Sequence, residues 1–76
     1  MSQTTMVTVY YNGRPLQGVR VGLIFGGIFG GYTPDFYTDF NGTAFIEHAS
    51  TGTANIYVDG RLVDSGYCPG RFVVYV

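Results

Sequence analysis

From Val7 to Val76 the chain alternates apolar or β-branched residues with polar ones at period 2, and Gly, Asn, Asp and Pro interrupt the runs. Val7, Val9 and Tyr11 fall on one side of a strand and Thr8 and Tyr10 on the other. Val19, Val21, Leu23 and Phe25 alternate in the same way with Arg20, Gly22 and Ile24. Such alternation in Tyr, Phe, Val, Ile and Thr marks half-buried strands. The pattern predicts further strands over 36–39, 43–48, 53–58, 61–64 and 71–76, and no helix. Asn12-Gly13 is a two-residue type I′ turn signal, because both central positions of that turn need positive φ. The return strand then starts at Arg14. The polar stretch 1–5 is expected to be disordered, within a single domain spanning 1–76.

Smaller features refine this. Tyr11 and Arg14 form the hydrogen-bonded pair that closes the Asn12-Gly13 hairpin, which leaves Tyr10 and Pro15 as the non-hydrogen-bonded pair. Proline cannot donate to a further neighbour, so this segment belongs on an edge. Gly18 is expected at a bulge or bend where the chain changes direction or sheet. The run from Val9 to Leu16 is echoed by Ile56 to Val63, with Tyr and an Asn/Asp-Gly-Arg turn in both. Duplication would explain the echo, and turn chemistry selected twice explains it more simply. A second echo, Phe25-Gly26-Gly27-Ile28 and Phe29-Gly30-Gly31-Tyr32, reads as a mobile connection with an apolar tip.

Three segments carry a family resemblance. They are Gly13-Arg14-Pro15-Leu16-Gln17-Gly18-Val19-Arg20-Val21, Thr38-Asp39-Phe40-Asn41-Gly42-Thr43-Ala44-Phe45-Ile46, and Gly52-Thr53-Ala54-Asn55-Ile56-Tyr57-Val58-Asp59-Gly60. This order resembles the transthyretin-like β-sandwiches typified by carboxypeptidase regulatory-like domains. It is also similar to the bacterial immunoglobulin-like domains of intimin and invasin type. The likeness covers most of Val7 to Gly60, and its motifs are turn and bend signals. It implies a small antiparallel β-sandwich of about seven strands, all-β, and, on the transthyretin side, association through strand edges. Residue chemistry agrees: Asn41-Gly42 suits a tight hairpin turn, and Asp39 can accept a hydrogen bond from backbone two residues on. Val19, Val21, Leu23, Ala44, Ile46, Ala54, Ile56 and Val58 would line the space between two sheets. The Gly-Phe loop and Tyr67-Cys68-Pro69-Gly70 depart from the pattern, as does the short length.

Composition narrows the function classes. The 76 residues carry four Arg, no Lys and five acidic residues, for a net charge of -1. At 12% charged residues, against about 25% in soluble proteins, the chain lacks the clustered basic charge that nucleic acid requires. Without lysine there is no P-loop or Schiff-base chemistry. Val21 to Tyr32, the longest apolar run, is glycine-rich and too short for a membrane-spanning helix. Met1 to Thr5 gives no leader signal. A complete chain would then be cytoplasmic, and a domain cut from a longer one would belong to a secreted or surface protein.

Candidate chemistry is sparse. His48, the single histidine, has Ser50 and Cys68 as formal nucleophile partners, but nothing around them resembles a nucleophile elbow. It reads as a polar residue at a strand end, which leaves a small hydrolase as a remote alternative. Glu47 and His48 leave opposite faces of one strand. Asp35 and Asp39 share a face but stand roughly 13 Å apart, so neither pair grips a metal. No cofactor and no catalytic residue is expected. Cys68 reads as a small, partly buried apolar side chain in a turn, and the alternatives are an intermolecular disulfide or a reactive thiol.

The seven Tyr and six Phe are the most functional-looking feature. Tyr10 opposite Pro15, and Tyr57 opposite Leu62, fall on the outward parity of their hairpins. With Phe25, Ile28, Phe29 and Tyr32 of the glycine-rich loop they are the candidate interaction residues. Rings so placed can serve a protein interface, stack on carbohydrate, or only pair across strands to stabilise the sheet. The expected function is a non-catalytic structural or protein-interaction module that self-associates through edge strands, such as Phe72-Val73-Val74-Tyr75-Val76, or through an aromatic face. The alternative is an accessory ligand-binding domain of carbohydrate type.

Overall fold

A computed structural model describes residues 2–26 and 31–76. Its strands are β1 (Gln3–Tyr11), β2 (Arg14–Pro15), β3 (Arg20–Phe25), β4 (Phe36–Tyr37), β5 (Thr43–His48), β6 (Gly52–Val58), β7 (Arg61–Cys68) and β8 (Arg71–Tyr75). They form two four-stranded sheets. In the first, β1 is central. The amide and carbonyl of Val9 both point to one side, taking Gly42 O at 2.8 Å and Leu16 N at 2.9 Å. That side therefore holds β5 along residues 3–8 and β2 at Tyr10 and Tyr11, while β8 lies on the other side. The second sheet runs β4-β3-β6-β7. No helix among the described residues is long and apolar enough to cross a membrane.

The hairpin chemistry forms as the sequence indicates. Asn12 and Gly13 both have positive φ, as do Asp59 and Gly60, so the echoed segments are two type I′ hairpins, one in each sheet. Tyr10 faces Pro15 and Tyr11 faces Arg14. Gly18, with φ 75, lies where the chain passes from the first sheet to the second.

The two sheets pack through Val7, Val9, Ala44, Ile46 and Val74 from the first and Val21, Leu23, Phe25, Ala54, Ile56, Val58 and Cys68 from the second. Nearly all of the expected inward positions are here, with Val19 only partly buried. Burying each of the Val, Leu, Ile and Phe side chains among them stabilises it by about 1.5–3 kcal/mol relative to leaving it in water.

Several expectations need correction. Residues 3–5 are not disordered: β1 begins at Gln3, and Gln3, Thr4 and Thr5 pair with His48, Glu47 and Ile46. Thr5 is buried and hydrogen-bonded to His48, so a polar sequence conceals a core strand. The Asn41-Gly42 turn is tight, with Asp39 Oδ1 accepting from the amides of Asn41 at 2.9 Å and Thr43 at 3.1 Å. It does not close a hairpin, because β4 pairs with β3 and β5 pairs with β1. Strand β7 continues past Asp64 to Cys68, after a register shift opposite Ile56 and Tyr57. Every pairing is antiparallel except that of β1 with β8, which is parallel. Joining the first strand to the last in this way needs a long crossover, here supplied by the rest of the domain.

Candidate functional site

Because Val7 and Val9 point inward on β1, Thr4, Met6, Thr8 and Tyr10 point outward from the first sheet. On β6, Ala54, Ile56 and Val58 point inward, so Tyr57 points outward from the second sheet. The hairpin aromatics therefore lie on opposite outer faces with the core between them. Tyr10 with Pro15, and Tyr57 with Leu62, cannot make one surface. Phe25 also departs from its expected role. It shares the inward parity of Val21 and Leu23, is only 7% exposed, and packs its ring 5.1 Å from that of His48. Ile28 and Phe29 lie outside the described residues. Tyr32 is exposed and bridges to Ile24, and Phe25 N donates to Gly31 O at 2.7 Å, so the feet of the glycine-rich loop extend β3 as a paired ribbon.

On the first sheet the strand register places outward side chains in rows. Phe45, Met6 and Arg71 make one row, and Thr43, Thr8 and Val73 the next. Pro15, Tyr10 and Tyr75 make the third. The Thr8 and Thr43 hydroxyls meet at 2.9 Å. The Tyr10 and Tyr75 rings stack with centroids 5.7 Å apart and planes 23° from parallel. Phe45, Val73 and Tyr75 remain 51%, 47% and 75% exposed. The result is a mainly apolar outer face around the Tyr10–Tyr75 stack, of a kind that marks contact sites when contiguous. Sequence reasoning singles out Tyr10 and Pro15 but not Met6 and Phe45. Their outward parity is legible in β1 and β5, whereas their adjacency needs the register.

The face ends at a bare strand edge. Met6 N donates to Gly70 O at 3.0 Å and Val76 N to Tyr10 O at 2.9 Å, which sets the phase of the parallel ladder. The backbone groups of Phe72 and Val74 therefore face β1, and those of Arg71, Val73 and Tyr75 face away from it. Among the described residues no strand pairs on that side.

His48 and Arg20 are already engaged. His48 is buried; its Nδ1 lies 2.7 Å from Ser50 O and its Nε2 2.7 Å from Thr5 Oγ1. A carbonyl can only accept, so Nδ1 carries a proton directed at Ser50 O, and Nε2 shares a hydrogen bond with the Thr5 hydroxyl. Arg20 meets Asp59 at 3.1 Å and Asp35 at 4.0 Å, both exposed pairs of small energetic weight. Among the described residues no three His, Cys, Asp or Glu side chains converge. No protein-family model and no curated protein matches the chain.

Cys68 closes β7 with its side chain fully buried, rather than sitting part-exposed in a turn. Desolvation pushes its thiol pKa up, partly opposed by a hydrogen bond with Thr5. We expect native protein to react with a small alkylating reagent about a hundredfold more slowly than unfolded protein, since reaction requires opening of the fold. Equal rates in both states would contradict this packing. With the folded pKa above the unfolded one, the stability tied to neutral burial is full below the ordinary thiol range and declines as pH rises through it.

Proposed function

We propose that this chain is a non-catalytic interaction module that associates with further copies of itself through its first sheet. The observation that carries the reading is the outer face of Phe45, Met6, Val73, Tyr10 and Tyr75 running out to the unpaired side of β8. A low-charge chain with no lysine has few means of keeping such a surface apart from another. The engagement of both His48 ring nitrogens by Thr5 and Ser50 supports a role without general-base chemistry.

The strand grouping also supports the transthyretin-like side of the sequence resemblance. With the short β2 set aside, β1, β5 and β8 face β4, β3, β6 and β7. An immunoglobulin constant-type sandwich would instead place the first, second, fourth and fifth strands together. Here β1 and β3 lie in different sheets.

Sedimentation equilibrium tests the reading. The expected result is a mass above that of the 8.3 kDa chain in the high micromolar range, little changed by added salt because apolar and backbone contacts are not screened. A monomer throughout would overturn it.

A further inference from the structure

Among the described residues, four strands besides the short β2 have a side without a strand partner, and the structure treats them differently. The second sheet ends in β4, only two residues long, and in β7, which carries the register shift and the charged residues Arg61 and Asp64. On the first sheet, β5 carries Glu47, and its Thr43 carbonyl accepts the Asp39 amide at 2.9 Å. Short length, bulges, charge and covering contacts all discourage pairing with another chain. The remaining strand, β8, is five residues long, Arg-Phe-Val-Val-Tyr, with its one charge, Arg71, at its first position and no proline or register shift.

From this difference we infer that two copies join β8 to β8 in antiparallel fashion, with Val73 opposite Val73 across a twofold axis. The phase of the ladder selects the register. Only Arg71, Val73 and Tyr75 present amides and carbonyls outward, and an antiparallel pair exchanges hydrogen bonds at alternate residues. Centring on Val73 engages all three residues of each copy. It sets Arg71 opposite Tyr75 of the second copy, where a guanidinium can lie over an aromatic ring. Centring on Arg71 would oppose two like charges and leave Tyr75 unpaired. The chosen register is self-complementary, as a twofold contact requires. It merges two first sheets into one and doubles their outer face.

This inference rests on the self-association proposed above and names its seam. The Val73 N–H faces away from β1, so Val73→Pro removes an edge donor while leaving the β1–β8 ladder in place. Val73→Lys puts two cations across the axis and keeps the backbone intact. Both are expected to weaken dimerisation by about a hundredfold or more in sedimentation. Amide exchange of the wild-type chain gives a readout independent of substitution. Protection at Arg71, Val73 and Tyr75 should rise with protein concentration, while that at Phe72 and Val74 stays constant. If the chain associates but Val73→Lys associates equally well and the three amides show no concentration dependence, the β8 seam is wrong and the self-association reading stands. A wild-type chain that is monomeric throughout overturns both.

Discussion

Replacing Gly42 with alanine is expected to lower folding stability by about 3 kcal/mol, roughly 15 °C in melting temperature for a chain of this size. Gly42 holds φ +78, and a Cβ there would stand 2.8 Å from Pro15 Cβ, 2.9 Å from Val9 O and 3.0 Å from Leu16 N. Two of these are backbone atoms, and their own hydrogen bonds fix them: Val9 O accepts from Leu16 N, and Val9 N donates to Gly42 O. The neighbours have nowhere to retreat. Gly13 supplies the control, because it has nearly the same φ, +76, and a Cβ added there would meet nothing within 4 Å. Gly13→Ala should therefore show only the left-handed backbone penalty of about 1–2 kcal/mol. Chemical denaturation of both variants measures the difference, and equal losses would show that the crowding at Gly42 carries no energy.

At Gly66 the obstacle is a side chain. An added Cβ would stand 2.5 Å from Cε1 and 2.9 Å from Cζ of Phe72, whose ring packs against the core from β8. Gly66 lies on β7 opposite Ala54, and without a side chain there the ring lies close against its backbone. We expect Gly66→Ala to destabilise the domain by about 1–3 kcal/mol through overpacking. In a Phe72→Ala background most of that loss should vanish, giving a coupling of about 1–2 kcal/mol in a double-mutant cycle. Additive losses would mean that the ring moves away without cost.

The two type I′ turns, the edge position of Pro15 and the inward sets on β1, β3, β5 and β6 are legible in the sequence because each rests on local chemistry: a dipeptide, a missing amide, a period of two. Thr5 and His48 defeat the same reasoning. Each is polar, yet each satisfies the other inside the sandwich, so alternation counts them as surface and misses the start of β1. On β7 the register shift opposite Ile56 and Tyr57 breaks parity, and the small inward residues Gly66 and Cys68 give no hydrophobic signal. Tyr67-Cys68-Pro69-Gly70 then looks like a turn that begins too early. The candidate surface is half visible. Parity places Tyr10 outward, but only the β1–β8 register brings Tyr75 against it, and no local signal joins residues so far apart in the chain. The Tyr57 hairpin, alike in sequence, shows the same outward parity, and nothing in its turn says which sheet will receive it.

The parallel pairing of β1 with β8 also decides how the domain would bear a load. A pull on the start of β1 and the end of β8 draws the two strands lengthwise past each other. The hydrogen bonds from Met6–Gly70 to Tyr10–Val76 are then strained together in shear, instead of opening one at a time as in an unzipped hairpin. The same seam that completes the first sheet would thus act as a mechanical clamp between the two ends of the chain.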